Sequence, residues 1–505
     1  MGLVGNLVKT AITIGHELDF SNESAKTQQE KQLTELLHKA KDTAFGKYYG
    51  FEHILESANP IERFRAQIPL HKYEDIAPWW EQQQKFPDIT WPAKPSYFAL
   101  SSGTTGNSSK RIPVTEDLSQ SMRQVGVSLV KELPNFNLPE PVFESNILML
   151  SSSANLKEHE NGHLEGEISG INVHKFPDWY DLFYQPGKEI AAIDNWDERV
   201  AKIAEEAPNW DIGAIAGIPS WVLLMLQEIM KKHELEYIQD IWPNFSVYAS
   251  GGVAFETYRE DFEKLSNKPL LIIDTYLASE GFFSYTAKPD TMNMRLALSH
   301  GYFYEFIPFN EKGVDDYGEV KEDAQILSID EVELDQEYVL VISSCAGAWR
   351  YMIGDTIKFT SLNPHEIKIS GRTKFFLNVV GSQLSEEKMN EAIVQLADKH
   401  SISINEFMVG AIKNEKDEHI HQWVVVSNDE ADNQKLTTDL DEILKSKNKN
   451  YGVARSKALK EIRLKKISKE TYKDFLESTK KAGGQTKTPK VMKAEKMTQL
   501  LNFIA

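Results

Sequence analysis

Between an apolar run and a cationic pair, this chain places six consecutive small residues: Ser101, Ser102, Gly103, Thr104, Thr105 and Gly106. The run before them is Tyr97-Phe98-Ala99-Leu100; after Asn107, Ser108 and Ser109 come Lys110 and Arg111. A stretch this small and polar has nothing to bury, so it must lie at a surface, here between strands ending near 100 and covering 112–115. Its hydroxyls and backbone N–H groups suit an anion, with a lysine beside them. The same composition also describes a linker. The order of a Walker loop, Gly-x-x-x-x-Gly-Lys-Ser/Thr, is absent. The flanking strands and Lys110 favour a phosphate chain.

Further along, short apolar runs repeatedly open into small or polar residues. Residues 146–150 lead into Ser151-Ser152-Ser153, and 246–249 into Ser250-Gly251-Gly252. Residues 270–273 lead into Asp274-Thr275-Tyr276-Leu277-Ala278-Ser279-Glu280-Gly281, and 338–342 into Ser343-Ser344. Between them, helical spacing predicts helices over 25–48, 116–133 and 194–206, and a long apolar helix within 212–229. Strands alternating with helices predict an α/β sheet whose ligands bind beyond the strand ends. From about 385 the pattern is smaller: helix 385–399, strands 407–412 and 419–426, helix 433–446, strand 459–467, helix 470–481. This reads as a separate α+β unit, and 505 residues suit two or three domains. The division is expected at 371/372, with a large unit over 1–371 and a small lid over 372–505.

Charge and cysteine usage narrow the class. The net charge is −19, which argues against general nucleic-acid binding. Yet the last 65 residues hold 17 Lys/Arg against 7 Asp/Glu. That excess is either a set of solvated helix faces or a surface that closes over a polyanion. One cysteine, Cys345, excludes a disulfide framework and points to a reducing compartment, so a cytoplasmic enzyme is expected. The first fifteen residues lack the basic cluster and cleavage site of a signal peptide, and no apolar run is long enough to predict a membrane span.

Four more segments carry chemistry, each with a plainer reading as a turn or tail. In the 276–281 segment, Tyr276 can stack on a base, Ser279 can bind phosphate and Glu280 can hold Mg²⁺. In Trp349-Arg350-Tyr351-Met352-Ile353-Gly354-Asp355, the aspartate after a glycine can accept from both hydroxyls of a ribose. Arg372, beside Gly371 at the junction of the two units, can reach phosphate or ribose. Gly483-Gly484-Gln485-Thr486-Lys487-Thr488-Pro489-Lys490 resembles a mobile loop that delivers a cation. His159-Glu160-Asn161-Gly162-His163 matches the zinc-protease pattern, but Asn161-Gly162 is a turn signal and no helix is expected there. Neither a G-x-S-x-G elbow nor a G-x-G-x-x-G fingerprint is present.

These segments, in this order, resemble the adenylate-forming superfamily of acyl-CoA synthetases, peptide-synthetase adenylation domains and luciferases. Within it the chain is most similar to the auxin-responsive acyl acid amido synthetases of the Gretchen Hagen type. IPLHKYEDI (68–76), GIPSW (217–221), WRYMIGD (349–355), SGRTKFFLNVVG (370–381) and QTKTPK (485–490) carry that resemblance, which runs from about 45 to 495. It implies a luciferase-like fold: a large domain of mixed sheets wrapped by helices, and a small mobile C-terminal domain that rotates between two half-reactions. It implies ATP and Mg²⁺, an acid activated as its adenylate, and an amine, usually an amino acid, that then forms an amide. By resemblance, Ser101, Ser102, Thr104 and Thr105 contact phosphates, and Gly252 and Val253 flank the adenine with Tyr276 near it. Ser279 contacts the adenylate phosphate, Glu280 holds Mg²⁺, Asp355 binds ribose, and Arg372 binds ribose or phosphate. Lys487 is the implied catalytic cation, with Lys490 the second candidate. The chain departs from the pattern at Ser279, often threonine, at Met352, usually arginine, and at Ser382, often glutamate. A thiol acceptor, as in an acid–CoA ligase, and a nucleotide-sensing protein without catalysis are the competing readings.

Overall fold

The computed structural model describes residues 23–101, 110–176, 182–252, 255–289, 291–315, 318–373, 377, 382, 384, 386–416, 418–457, 459–479, 490–492 and 494–504. An eleven-stranded sheet forms its centre. From one edge the strands run Tyr302–Pro308, Glu337–Ser344, Ala348–Leu362, His365–Arg372, Met294–Leu296, Gly281–Thr286, Leu271–Ala278, Val247–Gly251, Ile212–Gly217, Asn146–Leu150 and Tyr184–Gln185. The last five are mutually parallel. All other neighbours are antiparallel. The change of sense falls at Leu271–Ala278, which is parallel to Val247–Gly251 and antiparallel to Gly281–Thr286. Such switch points leave an opening at strand ends where ligands bind.

The parallel strands are the short apolar runs of the sequence, because helices cover their faces. Helices Trp196–Glu206, Pro219–His233 and Arg259–Lys264 make the crossovers. Pro219 opens its helix at the first turn, Val222, Leu226 and Ile229 face the core, and Lys231, Lys232 and His233 end it. Glu116–Glu132 starts where Thr115 Oγ1 accepts from the backbone N–H of Leu118 at 3.0 Å. It buries Leu118, Met122 and Val125. The single helix expected over 25–48 is instead two, Ala25–Ala40 and Ala44–Tyr48. Thr43 interrupts it by capping the second, accepting from Gly46 N at 3.0 Å.

A four-stranded sheet lies before this one, in the order Lys110–Val114, Tyr97–Ser101, Leu164–Gly166, Lys157–Glu158. Ser101 pairs with Lys110 across its antiparallel ladder, so both ends of the hydroxyl-rich segment are fixed side by side. Residues 68–76 also join the fold. His71 bridges to Tyr351, with its N–H donating to Arg350 O and its carbonyl accepting from Met352 N, both at 2.9 Å.

The C-terminal unit holds four strands in the order Glu461–Ile467, His419–Val426, Glu406–Lys413, Val491–Met492. Helices Glu386–His400, Asn433–Lys447, Lys449–Lys457, Lys469–Thr479 and Ala494–Phe503 surround them. Its apolar clusters, around Leu396, Trp423 and Leu440 and around Met408 and Met497, share no residue with those of the large unit. The α/β fold with a large N-terminal unit and a smaller C-terminal one is therefore as expected. Among the described residues, no helix is long and apolar enough to cross a membrane.

Candidate active site

The WRYMIGD strand delivers side chains in two directions. Trp349 is buried and donates from Nε1 to Thr90 O at 3.1 Å. Arg350 adopts a left-handed φ of 44° and turns into the core. There it donates to both oxygens of Glu305, at 2.9 and 3.2 Å, and to the carbonyls of Ile68 and Arg65, at 2.6 and 2.9 Å. Four such acceptors offset the cost of burying the cation. It fixes the strand at Tyr351, ahead of the irregular stretch that carries Asp355.

Asp355 is buried and pairs in register with Arg372. One carboxylate oxygen takes Arg372 Nε at 3.0 Å, and the other accepts the Tyr276 hydroxyl at 2.7 Å. Gly354, at φ 92°, makes the turn that a side chain would strain. Asp355 holds the Arg372 guanidinium above its usual range, against the lowering by burial. Burial pushes the Tyr276 phenol well above its ordinary value, and Asp355 adds to that.

Ser279 and Glu280 form the turn of a tight hairpin, since Ala278 pairs directly with Gly281. A loop was expected; the structure has a two-residue reversal, which places a buried Glu280 at the mouth of the sheet. Burial raises its carboxyl, Lys110 most strongly opposes that, and Asp355 adds to the rise. The Lys110 ammonium sits 5.2 Å from the Tyr73 ring and 6.0 Å from the Tyr351 ring, and donates to Tyr351 Oη at 3.4 Å. Tyr73 Oη accepts from Arg111 N at 2.8 Å. Two carboxylates, two cations and three tyrosines thus converge at the strand switch.

Gly252 follows its strand at φ 82° and is exposed. Ser250, one strand over from Asp274, accepts from Thr275 Oγ1 through its carbonyl at 2.8 Å. Asp274 escaped the sequence reading as a site residue. It keeps some surface contact yet is densely surrounded, and burial pushes its carboxyl up to about 7. Its signal was a carboxylate ending an apolar strand. Tyr73 and Tyr351 were also missed as site residues; only their places in HKYED and WRYMIGD marked them.

Ser102, Thr104, Thr105, Val253 and Lys487 lie outside the described residues. Lys490 is described, and its contacts are in the C-terminal unit. Its ammonium donates to Glu406 Oε2 at 2.6 Å and lies 4.7 Å from the Phe407 ring. The zinc-protease look-alike is a β-turn, with His159 N donating to His163 O. Donor atoms of His159, His163 and Glu165 lie within 4.8 Å of one another. However, Glu165 already accepts from Arg111 and pairs with His163 Nε2 at 3.0 Å, and the two imidazoles stack face to face at 4.5 Å.

Glu280 fits a magnesium ion of one kind. A buried carboxylate that burial disfavours as an anion gains from an adjacent cation. Asp355 is engaged elsewhere, so most of the ion's ligands would come from substrate phosphate and water, as Mg²⁺ accepts.

The mixed sheet followed by a small α+β unit is a fold that the chain shares with solved ligases. Models of the GH3 family match the chain in three successive parts: its N-terminal domain over 15–199, central domain over 295–372 and C-terminal domain over 387–496. The chain belongs to the GH3 family. Indole-3-acetic acid-amido synthetase GH3.2 of Arabidopsis thaliana is 22% identical over 436 residues, covering 72% of this chain and 77% of that one. The structure of the AtGH3.15 acyl acid amido synthetase in complex with 2,4-DB superposes with a TM-score of 0.78 at 16% identity, covering 98% of this chain and 96% of the other. 2-Hydroxyisobutyryl-CoA ligase in the postadenylation state superposes at 0.60 with 11% identity, covering 94% and 91%.

Proposed function

We propose that this protein activates a small carboxylic acid with ATP and transfers the acyl group to an amine, an amino acid, forming an amide. The acid's oxygen attacks the α-phosphorus, and the bond to pyrophosphate breaks. The amine then adds to the acyl carbon, the bond to AMP breaks, and the amine's proton leaves. The observation that carries this is the Tyr276–Asp355–Arg372 cluster facing Glu280 and Lys110 across one strand switch.

Each group has a part. Asp355 accepts from the ribose hydroxyls, and Arg372 orients it and meets negative charge. Tyr276 and the Ser250–Gly252 turn bound the adenine side, with Val253 next along. Ser101, Ser102, Thr104, Thr105 and Ser279 hold phosphate oxygens, and Lys110 supplies a cation that aromatic faces position. Glu280 would hold Mg²⁺, which when bound neutralises phosphate charge. Lys487 is the catalytic cation of the first step; Lys490, paired with Glu406, serves better as the base of its loop. The smaller unit is a lid beginning at 372, where the last strand of the large sheet ends. A single buried cysteine supports a cytoplasmic location, and the acidic balance supports small-molecule rather than nucleic-acid partners.

Purified protein with ATP, Mg²⁺ and benzoate, indole-3-acetate or hexanoate is expected to exchange label between pyrophosphate and ATP. Amide is expected once amino acids are added. Thioester with CoA in place of amide would make the acceptor a thiol. AMP binding without exchange for any acid would leave a nucleotide sensor.

A further inference from the structure

Besides the packing of helix Glu386–His400 against strand His365–Arg372, the two units meet at a short polar seam. On the large unit it is one face of the turn at 258–261, a few residues beyond Gly252. The Tyr258 hydroxyl donates to Glu406 Oε1 at 2.5 Å. One turn on, Asp261 accepts from Asn405 Nδ2 and lies 3.9 Å from the Lys469 ammonium. Glu406 is thus shared: its other oxygen takes Lys490, whose carbonyl accepts from Val409 N at 2.8 Å. Tyr258 is buried. A line of hydrogen bonds runs from Tyr258 through Glu406 to Lys490. A seam made of such bonds exchanges readily with water, unlike an apolar one.

We propose that Glu406 and Tyr258 are positioning residues that hold the C-terminal unit against the adenine side of the large unit for acid activation. The proposal rests on the two-step reading above. Glu406 does not touch the reacting atoms. It sets the orientation of the smaller unit through Tyr258 and anchors Lys490 with the same carboxylate. Opening the seam costs the Tyr258 bond and the contacts of Asp261 with Asn405 and Lys469, and leaves Glu406 paired with Lys490.

Tyr258→Phe removes one link between the units, leaves those of Asp261 with Asn405 and Lys469, and keeps the pair within the smaller one. Glu406→Gln keeps an acceptor for Tyr258 and loses the ion pair. In the full chain without ligand, Tyr258→Phe is expected to speed hydrogen–deuterium exchange in 255–264 and 403–409 and to raise the radius of gyration in small-angle scattering. Glu406→Gln is expected to change exchange at 490–492 more than at 255–264. With whichever of benzoate, indole-3-acetate and hexanoate the wild type activates, Tyr258→Phe is expected to slow ATP–pyrophosphate exchange about threefold to tenfold. Amide formation from that acid's synthetic adenylate is expected to be unchanged or faster. Equal loss in both half-reactions, or unaltered deuterium exchange at the seam, would overturn the proposal. If the wild type activates no acid, the enzymatic reading fails, while deuterium exchange and scattering still decide the latch.

Discussion

Both oxygens of Asp355 already carry a partner, Tyr276 on one and Arg372 on the other. Under the proposed function, a ribose has to share acceptors that are already in use. Asp355→Asn keeps an acceptor for Tyr276 and removes the carboxylate that acts most strongly on Arg372. The KM for ATP is expected to rise about tenfold to a hundredfold in steady-state assays, with the thermal midpoint little changed. For Glu280→Gln the reverse balance holds. Burial opposes its charge, so the variant is expected to melt no earlier than wild type while ATP–pyrophosphate exchange falls about a hundredfold or more. Asp274 gives a pH signature. Its carboxyl titrates near 7 when folded and near the ordinary 3.8 when unfolded, so the folded chain binds the extra proton between those values. Its contribution to stability accordingly declines as pH rises from about 4 through about 7. Asp274→Asn is expected to flatten that decline in denaturant titrations and to stabilise the protein at pH 8 by about 1–2 kcal/mol, allowing for solvent at its open side. Cys345 is buried and its thiol is pushed up to about 12, so a thiol reagent at pH 8 is expected to label it only after denaturation.

At the level of elements, the helices and parallel strands were legible because their apolar positions repeat at 3.6 residues or run unbroken. Strand 419–426 matches His419–Val426 in full, and helix 433–446 matches Asn433–Lys447 to within a residue. The break at Thr43 was not legible, since hydrophobic spacing continues across it and only the cap betrays the interruption. The same holds for the site. Glu280, Asp355 and Arg372 stood out by type and place, and the structure brings Asp355 and Arg372 into register. Asp274, Tyr73 and Tyr351 did not, because their roles arise from neighbours distant in sequence: Lys110 meets Tyr351 across 241 residues. Arg350 with Glu305 is likewise a pairing that no local pattern announces. A test of the turn before Asp355 belongs here. A Cβ at Gly354 would meet only Thr373 Oγ1, at 3.8 Å, so space is not the obstacle; the φ of 92° is. Gly354→Ala is expected to lose about 1–2 kcal/mol in denaturant unfolding and to weaken ATP binding by tilting Asp355.

Across the whole molecule, separate apolar cores joined through a polar seam describe two units that depend little on each other for stability. Scanning calorimetry is expected to resolve two transitions, and a single cooperative one would show that the seam couples the cores more strongly than its few bonds suggest. The smaller unit, 372–505, carries 24 Lys/Arg against 19 Asp/Glu in a chain of net charge −19, so the units differ in sign. Attraction between the units is therefore screened by salt, and the seam is expected to open more readily as ionic strength rises. One feature of the first sheet has a use for protein engineers. Because Ser101 and Lys110 face each other across a ladder, residues 102–109 enter and leave the fold at adjacent points. A foreign sequence of equal length can therefore be grafted between those two points with the flanking strands kept in register.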